Sequence, residues 1–418
     1  MKKKGLLSVL AGILLAGAVL LSACGETTGN NTAGGSSAAS STSTVSEDKP
    51  AVEAADIGEQ GQDVTIGEEN TEVEPVDVRI AFCCWGFADE DAMSYQRQLQ
   101  TMGKGFMTLE QPINVQWEWI TCISPEEQLT ALEAIHEKGI DGVIILWMTE
   151  ATVDALTNWE IPFVSYNDFS DELETYAEAS PYYLGTLDNR TDLLGEAQMR
   201  YAIETLGCKE ILAMGPAPGM PNHDDRFVGY EKVLAEHPEV QLYEVRNDDP
   251  RQDSIPSLLY MHPNIDCIVD TGATGGYGDT VVQALRVAGY GKGEVKYVTY
   301  GFIEDQVNAM NDGIIAYTQQ GGTASICHLF VELMNTVMGT PINEKATLLT
   351  FPQITITSVE DFQNFKKYCT GKVPMYTFEE YKPYFKWINP DVTAEEFNHM
   401  CDGLSLEDVM ERHAEYFE

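Results

Sequence analysis

The sequence predicts an α/β protein with two doubly wound parallel-sheet lobes and a helical C-terminal extension. From Val76 onwards, short apolar runs typical of strands alternate with helical patterns, as in parallel sheets covered by helices. The alternation restarts near Tyr182, which indicates a second lobe of the same kind. The chain has 418 residues, enough for two domains, and its apolar share of 44% allows a large core.

Residues 1–24 have the pattern of an export signal, with a basic start at Lys2–Lys4 and an apolar stretch from Gly5 to Leu21. The ending Leu21-Ser22-Ala23-Cys24 resembles the lipobox of bacterial lipoproteins, which implies that Cys24 is acylated and becomes the mature N-terminus. We therefore expect an extracytoplasmic protein, lipid-anchored to the outer face of the bacterial cell membrane. A transmembrane anchor is the alternative, but the apolar stretch is at the short limit for spanning and no basic cluster follows it.

Residues 25–75 are expected to form a disordered acidic linker, because they contain few large apolar side chains and Lys49 is their only basic residue. The whole chain has 25 basic and 66 acidic residues, a formal net charge of −41. This acidity disfavours nucleic acid and anionic lipid head groups as partners.

The first run of strands is expected at 78–82, 114–120, 142–146 and 161–166. The third is continuously apolar, which is typical of a strand buried on both faces of a parallel sheet. Before it, Ser124, Pro125 and Glu127 indicate a helix start, with an N-cap hydroxyl, a first-turn proline and a reciprocal glutamate. Gly139 is expected to end that helix as a C-cap.

The second run of strands is expected at 182–186, 210–215, 240–245, 266–270 and 295–300, with helices at 192–206, 224–236, 254–262 and 280–288. The residues after Val359 differ, being rich in aromatic and acidic side chains. Two capping-box-like helix starts, at Thr393 and Ser405, predict a helical extension packed on one lobe.

Eight cysteines follow Cys24, and none has the spacing of a metal site. Most lie in apolar, strand-like or helical runs, which favours buried free thiols. Cys369 and Cys401 are the best candidates for a single disulfide.

Several short motifs follow one another in a fixed order: Asp141-Gly142-Val143-Ile144-Ile145, Ile161-Pro162-Phe163-Val164, Arg226 with Gly229 and Tyr230, Asn311-Asp312-Gly313, and Pro352-Gln353-Ile354. In this order the chain, from about Val78 to Glu360, resembles the type I periplasmic binding proteins, the ribose-binding-like solute receptors of ABC transporters. The resemblance implies two lobes joined by a hinge, with three crossings between them. It divides the chain into a first lobe (76–187 and 320–345), a second lobe (188–319 and 346–360) and an extension (361–418).

The resemblance implies a membrane-anchored solute-binding protein that captures a small polar, sugar-like ligand and delivers it to an ABC permease. A ligand-sensing receptor for a membrane histidine kinase or chemoreceptor on the same fold remains the alternative. We expect a monomer without a cofactor or metal. An enzyme is not expected, since no Gly-x-Ser-x-Gly elbow occurs.

Candidate ligand contacts in the first lobe follow strand ends, where open α/β sheets bind ligands. Three candidates follow the first strand: Trp85, Phe87 and Asp89. Their side chains suit ring stacking against a ligand plus one hydrogen-bond acceptor. The alternative is a hydrophobic lid over the core of the lobe. Trp147 follows the third strand, and its position is equally consistent with a side chain in the cleft or in the core. Asn167 and Asp168 match the position of the family's polar pair, although the order and charge differ.

In the second lobe, the resemblance makes Arg226 the sugar-clamping arginine, whose guanidinium is a rigid donor fork. The alternative for this side chain is a salt bridge to Asp224 or Asp225. Thr271 stands where the family often has Asn-Asp, and Gln320 lies near the family's hinge glutamine. The Gly-rich loop after Thr271 could hold an anion through backbone N–H groups, but a tight turn is the simpler interpretation.

Overall fold

Two six-stranded sheets organise the described part of the chain, in a computed structural model that describes residues 64, 66–87, 90–166, 170–188, 190–247, 251–272, 277–321 and 325–417. The described residues belong to one compact unit. The predicted signal, Cys24 and most of the linker lie outside the described residues. Within the described part of the chain, no helix has both the length and the apolar character to cross a membrane.

The first lobe begins with five strands that alternate with four helices. The strands are β1 (Val76–Cys84), β2 (Ile113–Thr121), β3 (Gly142–Ile145), β4 (Phe163–Ser165) and β5 (Tyr183–Asp188). The helices are α1 (Glu90–Phe106), α2 (Pro125–His136), α3 (Glu150–Asn158) and α4 (Asp171–Ala177). All four residues of β3 are buried, as the apolar run predicts.

The second lobe repeats the pattern with five more strands and five helices. The strands are β6 (Glu210–Gly215), β7 (Gln241–Arg246), β8 (Cys267–Asp270), β9 (Lys296–Val298) and β10 (Ile315–Gln320). The helices are α5 (Thr191–Arg200), α6 (Pro221–Glu236), α7 (Arg251–Met261), α8 (Tyr277–Val287) and α9 (Gln306–Asn311). The helix predicted at 192–206 changes into a π-helical turn over Tyr201–Thr205.

The rest of the chain first returns to both lobes. It contains α10 (Ser325–Val337), β11 (Thr347–Thr350) and β12 (Ile354–Ile356), then α11 (Val359–Tyr368), α12 (Phe378–Tyr381), α13 (Ala394–Asn398) and α14 (Leu406–Arg412). The sheet orders are β11-β5-β4-β3-β1-β2 and β12-β10-β9-β8-β6-β7. All pairs are parallel except β10–β12. The predicted fold class of two parallel-sheet lobes with helices at the C-terminus is confirmed.

The chain passes between the sheets three times, after β5, after β10 and after β11. One predicted boundary is corrected by the last passage. Residues 346–360 were expected in the second lobe, but β11 pairs with β5 of the first sheet, with Thr347 opposite Gly185. The chain therefore leaves the first lobe after Thr350, because β11 completes the edge of its sheet beside β5.

Local capping signals place several helices as expected. The Ser124 side chain accepts a hydrogen bond from the Glu127 backbone N–H, and Pro125 begins α2. Gly139 adopts a φ of +77° just after that helix, a conformation that favours glycine. Thr393 and Glu396 form a complete capping box at the start of α13. The long helix α1 was not among the predicted elements.

The C-terminal extension, which runs from α11 to Phe417 in the structure, corrects two expectations. It contacts both lobes rather than one, because α11 packs against Phe302 of the second lobe and α12 packs against α1 of the first. Cys369 and Cys401 are free buried thiols, so no disulfide joins them. The Cys401 sulfur instead lies 3.7 Å from Nδ1 of His328.

Candidate binding cleft

The carboxyl edges of the two sheets lie next to the three crossings, because each crossing leaves a sheet at the carboxyl end of its strand. Open α/β sheets bind ligands outside these strand ends. The candidate cleft therefore consists of the residues that follow β1, β3 and β4 in the first lobe and β8, β9 and β10 in the second.

Arg226 lies near the start of α6 on the second-lobe side and is only 5% exposed. Its Nη1 donates a hydrogen bond to the carbonyl oxygen of Thr271. Its guanidinium carbon lies 4.4 Å from the ring centroid of Tyr300. Its Nε atom is buried and has no hydrogen-bond partner within the part of the chain that the structure describes. Burial lowers the pKa of the guanidinium, since desolvation disfavours its charge.

The alternative role for Arg226, a salt bridge to a neighbouring aspartate, is not what the structure contains. Asp224 pairs with Arg246 and accepts from the Gly219 N–H at 2.9 Å. Among the described residues, no ion pair within 4 Å joins Arg226 to Asp224 or Asp225. A buried guanidinium with one unpaired N–H can satisfy it only through a ligand or water.

Thr271 is fully buried, and its backbone supports Arg226. Its carbonyl accepts from Arg226, and its hydroxyl lies 2.7 Å from Nδ1 of His223. The preceding Asp270 accepts from the Tyr297 hydroxyl at 3.1 Å and from the Gly272 N–H at 3.3 Å. The turn after β8 is thus held by a buried polar network.

Among the described residues, two further buried polar atoms near the carboxyl ends of β9 and β10 lack a hydrogen-bond partner: the Thr299 hydroxyl and the Gln319 carbonyl oxygen Oε1. Thr299 follows β9, and Gln319 lies near the end of β10, one residue before the predicted contact Gln320. Gln320 is 5% exposed and pairs with Ile354 of β12 at the second crossing. The structure therefore brings Arg226, Thr271 and Gln320 to one sheet edge.

Sequence reasoning missed Thr299 and Tyr300 as cleft residues. The predicted strand ran from 295 to 300 and would have placed both inside the sheet. In the structure β9 ends at Val298, so Thr299 and Tyr300 lie beyond the strand end. The glycine at 301, which has a φ of +83°, was a signal that the chain turns here.

The first-lobe side of the cleft is aromatic. Trp85 and Phe87 are half-buried just after β1. Trp85 packs edge-to-face on Tyr95 at 6.2 Å, and Phe87 packs edge-to-face on Trp119 at 5.6 Å. Part of each ring stays exposed, so both can contribute an apolar face while packing on the lobe core. Asp89 lies outside the described residues.

Trp147 is half-buried after β3, and its backbone is fixed by Gln128. The Gln128 carbonyl oxygen accepts from the N–H groups of Leu146 and Trp147, and its amide donates to the Trp147 carbonyl at 2.6 Å. Tyr166 follows β4 and donates to the Cys83 carbonyl at 2.7 Å. Asn167 and Asp168, the next predicted contacts, lie outside the described residues.

The described residues contain no group of three or more histidine, cysteine or acidic side chains placed to hold a metal ion. A cavity of about 290 Å³ lies at the opposite, amino edge of the first sheet, away from the cleft. Its lining residues are Asp141, Pro162, Pro181, Tyr182, Thr336 and Val337.

Comparison with known proteins agrees with this geometry. A family described as a periplasmic binding protein domain matches residues 94–334, more than half of the chain. No curated protein matches the chain.

Solved structures share the fold at low sequence identity. A glucose-galactose binding protein from Geobacillus stearothermophilus is 13% identical, with a TM-score of 0.54 over 67% of this chain and 97% of that one. A galactofuranose binding protein is 15% identical, with a TM-score of 0.55 over 69% and 98%. An ABC transporter solute-binding protein from Burkholderia graminis, solved with D-arabinose, is 16% identical, with a TM-score of 0.54 over 68% and 96%.

Proposed function

This chain belongs to the periplasmic binding protein domain family, and we propose that it captures a small sugar-like ligand between its lobes and delivers it to an ABC permease. The family places the protein outside the cytoplasm. The matched structures named above bind sugars, which supports a sugar-like ligand here. We further propose that a lipid on Cys24 holds it at the outer face of the membrane.

The observation that carries the proposal is the state of Arg226. Its guanidinium is fixed by Tyr300 and Thr271, carries no paired carboxylate within the described residues, and keeps an unpartnered N–H. A rigid donor of this kind suits the paired oxygens of adjacent hydroxyl groups. Thr299 and Gln319 add two more polar atoms at the same edge that have no partner among the described residues.

The aromatic side of the cleft complements this polar side. Trp85, Phe87 and Trp147 can cover the C–H face of a sugar ring, while the second lobe binds its hydroxyl groups. Closing the lobes would exclude water and strengthen each polar contact. None of these contacts requires a chemical change in the ligand.

A thermal-shift screen against sugars, polyols, nucleosides and small amines tests the proposal. A saturating ligand at about 100 times its Kd stabilises the folded state by about 2.7 kcal/mol, which raises the melting temperature measurably. We expect the largest shift with a sugar or polyol.

Arg226→Ala should abolish the shift and leave the far-UV circular dichroism unchanged. Arg200→Ala is the matched control, since Arg200 lies on α5 of the same lobe and pairs with Glu204 and Glu236 at the surface. Unchanged calorimetric affinity of Arg226→Ala would contradict the assignment.

A further inference from the structure

The C-terminal extension connects the two lobes beyond the three crossings. Its first helix, α11, packs on the second lobe, where the rings of Phe362 and Phe365 lie 5.0 and 5.3 Å from that of Phe302. Phe362 is 2% exposed and Phe365 is fully buried. Phe302 follows β9, so this contact lies near the carboxyl edge that forms the cleft.

The later part of the extension packs on the first lobe. The ring of Phe378 lies directly over Gly105 of α1, where an added Cβ would come within 2.1 Å of the ring. The ring of Phe385 lies 4.9 Å from that of Phe106. On α10, the ring of His328 stacks on a phenylalanine of α13, Phe397, at 4.0 Å.

Hydrogen bonds tie the same surfaces together. The amide of Asn335 on α10 donates to the Tyr384 carbonyl at 3.0 Å and accepts from the Lys386 N–H at 2.7 Å. Arg97 of α1 donates to the Thr370 carbonyl at 3.1 Å, just after α11 ends. The extension is therefore fixed to the first lobe along most of its length.

The segment that joins these two attachments is itself packed. Val373 and Met375 are fully buried between α11 and α12. Arg412 of α14 donates to the Met375 carbonyl at 3.1 Å and to Asp408, and it forms an ion pair with Glu380 of α12. The extension is thus a folded connection with one end on each lobe.

Hinge closure in this family of folds rotates one lobe against the other about the crossings. Here such a rotation must also displace the contact of α11 with Phe302, displace that of α12 with α1, or bend the packed segment between them. Packed apolar interfaces resist continuous deformation. About two thirds of this chain is enough to match the solved structures over almost their whole length. The remaining third of this chain therefore includes segments that those structures lack.

We infer that the extension is a brace that restricts the angle between the lobes and so regulates ligand capture in the cleft. The effect on ligand capture rests on the function proposed above, whereas the restriction of the hinge does not. Loosening the contact with Phe302 should let the lobes sample a wider range of angles.

Single-molecule FRET on the full chain measures that range without any added ligand. Fluorophores attached through ketone-bearing unnatural amino acids at positions 123 and 260 would report the distance between the lobes, since Ile123 is 73% exposed in the first lobe and Tyr260 is 88% exposed in the second. We expect Phe365→Leu to make the distance distribution about twofold broader, because one end of the brace is released.

Phe163→Leu is the matched control, because Phe163 is equally buried but lies in β4 and contacts Tyr183. Its distribution should equal that of the unchanged protein. Phe302→Ala, in a half-buried loop position, should broaden the distribution even if Phe365→Leu does not fold. An unchanged distribution in a folded Phe302→Ala protein would overturn the brace, whereas failure of every compound in the thermal-shift screen would contradict only the proposed function.

Discussion

The ring of Tyr300 packs against the guanidinium of Arg226, and this contact helps to position the arginine side chain in the cleft. Tyr300→Ala should lower the free energy of unfolding by about 1 kcal/mol through the lost cation–π contact and weaken binding of the best compound from the screen. Tyr300→Phe keeps the ring and loses only the hydroxyl, which lies 3.5 Å from Oε1 of Gln353, so it should lose less than Tyr300→Ala in both measurements. Chemical denaturation and calorimetry check the two effects, and equal behaviour of the two variants would contradict the role of the ring.

Glu332, buried on α10, gives the packing around this helix a pH dependence. It is 1% exposed and accepts from the Asn343 amide at 2.9 Å. Burial raises the pKa of its carboxyl to about 7, above the ordinary 4.5 that applies to the unfolded chain. As the pH rises from about 4.5 to 7, the unfolded state releases this proton first, so the contribution of Glu332 to stability falls over that interval.

Glu332→Gln should therefore be more stable than the unchanged protein at pH 8 by up to about 3 kcal/mol, and similar to it at pH 5. Burial lowers the pKa of nearby His328 to about 3, so acid below about 6.5 destabilises both proteins alike. Denaturant unfolding at the two pH values measures the difference. The exposed Glu395→Gln should show no such change, and a constant difference across pH would contradict the assignment to Glu332.

At the scale of elements, helices α5 and α6 cross at two glycines beside Arg226. An added Cβ at Gly229 would lie 2.1 Å from the Asp192 carbonyl oxygen, and one at Gly195 would lie 2.2 Å from that of Arg226. Gly229→Ala should therefore separate the helices and cost about 1–3 kcal/mol in thermal or chemical denaturation. Gly403→Ala is the control, because among the described residues an added Cβ there would meet nothing within 4 Å except its chain neighbours. Equal stability of the two variants would show that the crossing can relax.

Most elements could be predicted from local patterns, while their partners could not. The buried run of β3 and the caps of α2 and α13 were predicted because apolar runs and capping side chains act within a few residues. The sheet to which β11 belongs was predicted wrongly, because pairing with β5 depends on residues more than 150 positions away. Likewise, β9 ends at Val298 rather than at the predicted residue 300, which places Thr299 and Tyr300 beyond the strand end.

At the scale of the whole molecule, the proposed acylation of Cys24 would decide where the cleft works. Cys24→Ser should leave the protein without lipid and release it from the membrane fraction, because a noncovalent anchor is not expected from the acidic chain. Fractionation with mass spectrometry of the mature N-terminus checks this. A Cys24→Ser protein that stays in the membrane fraction would support the alternative of a transmembrane anchor.

The order of strands, helices and family motifs along the chain was enough to predict two parallel-sheet lobes, and the position of Arg226 at the start of a helix beside the second sheet was readable from its motif. Only the tertiary structure decided what surrounds that side chain. The ring of Tyr300 packs on its guanidinium, the Thr271 carbonyl accepts a hydrogen bond from it, and Asp224 pairs with Arg246 instead. The same holds for the extension, whose helices were expected on one lobe and lie across both. Local patterns report which residues are buried, but which surfaces meet depends on contacts between residues far apart in the chain.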